Sequence, residues 1–432
     1  MPRIPATLAR AAAMLALGCP LAAPAAPAAD EAASLARLAD QATTELHGNI
    51  LPFWIEHVRN ETGGGFHGEV RADLSPNEKA PRGALMTCRI LWTYSAAMRR
   101  DARPEYRAMA DHAFADLNAR FWDEFNGGLI WSVNADGSPL ARHKQVYLQT
   151  FGIYALAEYH RATDDPLALA RARTLFRLLE DNARDPQHGG YFEAFTPDWS
   201  KEMPEMRRTI GGNAPKSQNT HLHIMEAYTN LLRVWPDPEL RSAQTRLVGL
   251  MLERILDPQT HHLGLFFKAD WSPDSNSISY GHDIEAAWLL CEAAGVLEDA
   301  ALLERTRTAA VEIARVTLAE GVSLLGGIYN EGGPRGVTND DHEWWPQAEA
   351  VVGFLNAYQI SGDKRFLDAA TTTWNFIDTH VIDRERGEWF LMVDAKGRPQ
   401  SRRPKASIWK CPYHNGRACM EIADRVNAIL SR

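Results

Sequence analysis

Three of the fifteen histidines stand in surroundings that suit proton transfer. They are His223 in Asn219-Thr220-His221-Leu222-His223, His282 in Gly281-His282-Asp283-Ile284-Glu285, and His414 in Trp409-Lys410-Cys411-Pro412-Tyr413-His414-Asn415. An imidazole of ordinary pKa, near about 6.5, takes and returns protons at neutral pH. His282 and Glu285 are three apart and share a helix face, so the carboxylate is expected to orient the ring. Pro412 suits the first turn of a helix, which leaves His414 near that helix's positive end. Arg89, at a comparable place beside Trp92, is a candidate for holding a developing anion. Trp345 and Trp409 lie in polar clusters, where an indole face can stack on a sugar.

Other chemistries lack their residues. His221 and His223 are two apart and face different ways on a helix, and His342-Glu343-Trp344-Trp345 lacks the second histidine of a zincin motif, so no metal is expected. No nucleophile elbow, phosphate loop or dinucleotide fingerprint occurs in a strand-to-helix setting, so no cofactor is expected. The formal charge of -9 comes from interspersed acids and bases, with no basic stripe for nucleic acid or an anionic membrane. The expected partner is a neutral small molecule.

The elements that position these residues follow from a repeat. Gly64-Gly65-Phe66, Gly127-Gly128-Leu129, Gly189-Gly190-Tyr191, Leu263-Gly264-Leu265, Gly326-Gly327-Ile328 and Arg386-Gly387-Glu388-Trp389 recur at intervals of roughly 60 to 75 residues. Each is expected to open a short strand, such as Leu129 to Val133 or Trp389 to Val393. Two helical segments lie between successive signals, split by turns such as Asp164-Asp165-Pro166. Six pairs predict an all-α (α/α)6 barrel of twelve helices, with short β-hairpin-like loops on one face. The long loops feed the second helix of each pair, so all six second helices should start at one mouth.

Arg3, Arg10, the apolar run from Ala11 to Leu17 and the small-x-small site Ala26-Pro27-Ala28 read as an export signal over residues 1–28. A lipoprotein signal ending at Cys19 is the alternative. Residues 29–432 are then one catalytic domain, periplasmic or secreted, without stable membrane insertion, as a monomer or weak homodimer. The remaining cysteines, Cys88, Cys291, Cys411 and Cys419, lack metal-site spacing and read as small buried thiols.

Arg89-x-x-Trp92, Asn219 to His223, Gly281 to Glu285, Trp344 to Glu349 and Trp409 to Asn415 together resemble the N-acylglucosamine 2-epimerase superfamily, and within it the cellobiose and mannobiose 2-epimerases. The resemblance spans nearly the whole chain after the leader. It implies the barrel fold, no metal or nucleotide, and inversion at C2 of the reducing-end aldose of a β-1,4-linked disaccharide through a cis-enediolate. His282 and His414 would be the paired acid/bases and His223 would assist ring opening. Arg89 would hold the oxygens of the intermediate, Asn219 a hydroxyl, Glu285 the imidazole of His282, and Trp345 and Trp409 the sugar rings. Tyr147 and Glu349 complete the expected substrate contacts. An aldose-ketose isomerase, a glycoside hydrolase using Asp283, Glu285 and Glu349, and a non-catalytic sugar-binding protein are the competing readings.

Overall fold

A computed structural model describes residues 26–210 and 212–432. The export signal expected over residues 1–28, up to residue 25 and including Cys19, lies outside the described residues.

Apolar residues at spacings of three and four give amphipathic helices, and runs without polar punctuation give helices buried all round. Both kinds alternate in the twelve long helices of the described residues. These are α1 (Ala29–Glu45), α2 (Ala84–Arg100), α3 (Pro104–Asp116), α4 (Val146–Thr163), α5 (Pro166–Leu178) and α6 (Gln218–Leu232). They continue with α7 (Pro238–Leu250), α8 (Tyr280–Gly295), α9 (Ala300–Val316), α10 (Trp344–Ser361), α11 (Lys364–Phe376) and α12 (Tyr413–Leu430). The odd-numbered helices bury one stripe, as α11 does with Phe366, Leu367, Ala370, Thr373 and Trp374. The even-numbered ones bury nearly everything; α4 buries every residue from Val146 to Tyr159. The even helices therefore form the inner ring of the barrel. Each packs on the next, and α12 closes the ring against α2.

Short turns lead into outer helices through proline in the first turn, with Asp165 and Asp237 accepting the next free amides of α5 and α7. The outer helices loosen at their far ends. Trp122, for example, bonds back five residues to the Leu117 carbonyl. The chain then turns through the glycine signal: the Asp123 carboxylate accepts the Phe125 and Asn126 amides, and Gly127 and Gly128 adopt φ of 72° and 77°. A Cβ on Gly128 would also stand 3.0 Å from both Gln149 and Trp199, so conformation and space both select glycine there.

The strands are shorter and paired differently from the expectation. Of Leu129 to Val133 only Ser132–Val133 is a strand, and of Trp389 to Val393 only Met392–Val393. As well as folding back on itself, each such strand pairs with the residues just before the preceding inner helix, and Phe195, Phe267 and Val393 bridge back to Glu202, Pro273 and Pro399. Arg82–Gly83 pairs with Ser132–Val133, Lys144–Gln145 with Ala194–Phe195, Lys216–Ser217 with Phe266–Phe267, and His342–Glu343 with Met392–Val393. True hairpins remain at Ser132–Val133 with Pro139–Ala141, and at Glu331–Gly333 with Gly336–Asn339. The physical reason is reach: the loop leaves the glycine turn beside the start of the neighbouring inner helix, whose approaching backbone offers unpaired groups.

Buried ion pairs fix the same junctions. Lys144 bonds Asp123 at 2.9 Å, Lys216 bonds Asp185 at 2.7 Å, and Lys410 bonds Glu388 at 2.6 Å. Glu388 is also held by Trp54, Asn415 and its neighbour's amide. Lys410→Met strands that carboxylate without its cation, and thermal or urea unfolding should show a loss of about 3–5 kcal/mol. A loss below about 1 kcal/mol would show that Glu388 is satisfied by its neutral donors alone. Cys88, Cys291, Cys411 and Cys419 are free thiols, three of them buried. No helix of the described residues is long and apolar enough to cross a membrane.

Candidate active site

The strand pairings pin four of the six inner helices at one end, and the three histidines sit within the first two turns of α6, α8 and α12. The serine before each of two starts does capping work. Ser217 accepts the Thr220 amide at 3.1 Å, and Ser279 accepts the His282 amide at 3.4 Å.

Each imidazole has a distinct partner on Nδ1. For His223 it is Glu226, at 2.8 Å; for His414 it is Glu349, at 2.7 Å; for His282 it is the Ser279 hydroxyl, at 2.9 Å. A carboxylate on Nδ1 fixes the tautomer that keeps Nε2 free as a base. Burial lowers all three rings from the ordinary histidine value, His282 to about 3 and His414 well below it, with the charge of His223 adding to the effect on His282. His414 is lowered further by the charges of Arg89 and Arg417. The resting imidazoles are therefore neutral and ready to accept protons.

Aromatic rings link the three. The Trp345 ring centre lies 4.7 Å from that of His282 and 5.5 Å from that of His414, so the indole contacts both rings. Gly281 makes room for it, since a Cβ there would meet the indole at 2.6 Å. Tyr413 packs on His414 at 4.6 Å and on Phe151 at 5.2 Å, and Phe151 lies 4.9 Å from His223. Arg89 is 2% exposed, donates to the Tyr147 hydroxyl at 2.8 Å and to the Trp409 carbonyl at 3.3 Å, and lies 4.3 Å from the Phe151 ring centre. Trp409, 36% exposed, packs beside Tyr147 and Trp131, each at 6.1 Å. Asn219 is half-buried and its Oδ1 has no partner, leaving an acceptor for a hydroxyl.

Two expectations need correction. Glu285 does not touch His282, although the spacing allows it; its Oε1 accepts from Arg417 Nη2 at 2.7 Å, and Ser279 takes the imidazole instead. A fully buried carboxylate settles on the nearest cation before a neutral ring. Glu349 is also out of reach of a ligand: it is buried under His414, bonded to that ring, to Arg417 and to the Trp288 indole. Both carboxylates thus support the site from below.

Arg417 and Glu226 escaped the sequence reading as site residues. Arg417 bonds Glu226, Glu285 and Glu349 together, and Tyr413 donates to Glu226 at 2.5 Å. The signal was available: Glu226 follows His223, and Arg417 follows His414, by three residues, one helical step along the same face. Burial works against charge on Glu226, but Arg417, His223 and Tyr413 outweigh it and draw the carboxyl down to about 2. Burial raises both Glu285 and Glu349, and the charge of Glu349 raises Glu285 further, while Arg417 draws both down. The position between Glu285 and Glu349 is already filled by the guanidinium of Arg417.

His221, only two residues from His223, has a different task. Its Nε2 accepts the Tyr191 amide at 2.8 Å and its Nδ1 meets the Ser217 carbonyl at 2.7 Å, clamping a loop to a helix start. Gln149 and Gln347 clamp Leu129 and Ile328 in the same way, each bonding both amide and carbonyl. At the opposite end of the barrel a cavity of about 460 Å³ is walled by Arg99, Arg161, Arg233 and Arg425, which pair with Glu158 or Glu292. It contains none of the three histidines.

An arrangement of neutral histidines, a buried arginine and indole platforms can remove and return a carbon-bound proton beside a carbonyl. Comparison with known proteins agrees. The cellobiose 2-epimerase of Bacteroides fragilis is 44% identical over 380 residues, 88% of this chain and 96% of that protein. The solved cellobiose 2-epimerase of Spirochaeta thermophila superposes with a TM-score of 0.85 at 42% identity, covering 92% of this chain and 98% of that one. A D-mannose isomerase of Marinomonas mediterranea is 22% identical, covering 83% of this chain and 91% of that protein. The N-acylglucosamine 2-epimerase (GlcNAc 2-epimerase) family profile matches residues 64–416, and the chain belongs to that family.

Proposed function

We propose that this sugar epimerase inverts C2 of the reducing-end residue of a β-1,4-linked disaccharide such as cellobiose. The observation that carries the reading is the pair His282 and His414, both packed against the Trp345 indole, each with Nδ1 engaged and Nε2 free. His223, backed by Glu226, moves the proton between O5 and O1 that opens the ring to the aldehyde. One of the paired histidines then takes the C2 proton, and the electron pair shifts onto O1 to give a cis-enediolate beside Arg89. The proton passes from that imidazolium through the enediolate oxygens to the other histidine, which delivers it to the opposite face of C2 as the aldehyde re-forms, so both histidines end neutral and atoms and charge balance. Trp345 and Trp409 stack on the sugar, and Asn219 and Tyr147 meet its hydroxyls. The glycosidic bond is untouched, because Glu285 and Glu349 are tied to Arg417 and Asp283 is held by His262 and the Leu263 amide. Arg3, Arg10 and the apolar run after them further support export of the mature chain through the signal at residues 1–28.

The test is product analysis by NMR after incubation with cellobiose, mannobiose and mannose. A C2 epimer of the reducing-end sugar supports the reading. A ketose as main product, or released monosaccharide, overturns it.

A further inference from the structure

We propose that Arg417 is a positioning residue that balances the charge under both His223 and His414, so that one guanidinium keeps the two bases unprotonated together. The inference rests on the epimerase reading. Arg417 is 1% exposed and never reaches the sugar space; it acts through carboxylates. On one side it bonds Glu226, the partner of His223; on the other it bonds Glu349, the partner of His414, and Glu285 beside it. No other pair of groups in the network joins the supports of two histidines. Its plane is set by the Tyr413 and Trp288 rings, 4.3 and 4.7 Å from the guanidinium carbon.

The consequence follows from counting charges around His414. Arg89 faces it from α2, His223 and Glu226 from α6, Glu285 from α8 and Glu349 from α10; Tyr413 and Arg417 come from its own helix. His223 sees Arg89, Arg417, Glu226 and, at ring contact, Tyr147 from α4; His282 lies near enough to feel its charge. Three carboxylates surround the imidazoles, and without Arg417 their field favours imidazolium at both positions. An imidazolium cannot accept the C2 or hydroxyl proton. Arg417 adds one positive charge shared among the three carboxylates it bonds, which weakens that field and leaves Glu226 and Glu349 to hold Nδ1–H. Arg417 thus converts a cluster that would trap protons into one that accepts them only from substrate.

The sign of the pH effect is fixed. Removing the cation raises the histidine pKa values, so the acidic limb of kcat/KM moves to higher pH. An opposite or like charge at this distance shifts a buried group by at least about one unit. Arg417→Met is therefore expected to move the acidic limb up by about one pH unit or more and to lower kcat by about a hundredfold, with KM changing far less. Arg417→Lys keeps the charge but not the fork, so its limb should stay near the native position while kcat falls in part. A merely structural role would lower the rate at every pH and leave the limb in place. Thermal melts and far-UV spectra establish that each variant folds; should the Met variant not fold, the Lys variant decides, because a displaced limb in it overturns the proposal. Imidazole NMR titration of His223 and His414 in the two folded variants needs no substrate. If sugars are not turned over but those resonances shift as stated, the epimerase reading fails and the role of Arg417 stands. If native enzyme turns over and neither limb nor resonances move in Arg417→Met, the role of Arg417 is wrong.

Discussion

His414→Asn should slow epimerisation by at least about a hundredfold, the loss expected when a positioned general acid/base is removed. His414 is the better of the two paired histidines for this test, because its support is the more elaborate: Glu349 holds Nδ1 at 2.7 Å, and Trp345 and Tyr413 pack on its two sides. Asparagine still offers an N–H to Glu349 and removes only the basic nitrogen. Substrate affinity should change far less, since Trp345, Trp409 and Arg89 keep their places. Running native enzyme in deuterated water tests the chemistry: the epimer gains deuterium at C2 unless the histidine pair returns the original proton before exchange. Epimerisation by His414→Asn at near the native rate would remove this residue from the mechanism.

Arg89→Met should lower kcat by about 10²–10³, the loss found when one preorganised donor to a developing oxyanion is deleted. Methionine keeps a flexible apolar stem among Phe151 and Tyr413, so the packing that now surrounds the guanidinium carbon at 4.3 and 5.1 Å survives. The Tyr147 hydroxyl loses its donor but can turn to water. Because the missing charge matters most when the enediolate forms, kcat and kcat/KM should fall together. A variant with raised KM and native kcat would place Arg89 on the ground-state sugar instead.

The barrel was legible because its cause is local and repeated. Glycines at positive φ after five of the six outer helices, proline at the start of three of them and inner helices buried nearly all round leave marks in the chain. The histidines were legible because they interrupt helices that are otherwise apolar. What failed was the assignment of partners. Glu285 and His282 share a face, yet the nearest cation, Arg417, comes from a helix 132 residues away and pulls the carboxylate off the ring. Glu349 reads as a substrate contact from sequence because nothing local says that His414 lies over it. His221 and His223 show the opposite problem. Both are buried histidines at one helix start, and only the direction of the ring, toward the Tyr191 amide or toward Tyr147 and Phe151, separates a clamp from a catalyst.

The lacing of each loop to the start of the preceding inner helix divides the mouth into a frame and its appendages. Arg82–Gly83, Lys144–Gln145, Lys216–Ser217 and His342–Glu343 belong to the frame, and a residue inserted there would rotate the next helix and misaim its side chains. Beyond it, two tips carry strand pairs of their own, residues 134–138 and 334–335, while residues 195–202, 267–273 and 393–399 fold back through single bridges. These tips can lengthen, shorten or change composition without altering the spacing of the three imidazoles. Diversification of such a scaffold toward longer or branched sugars is therefore channelled into these appendages, while the proton-transfer geometry is inherited unchanged.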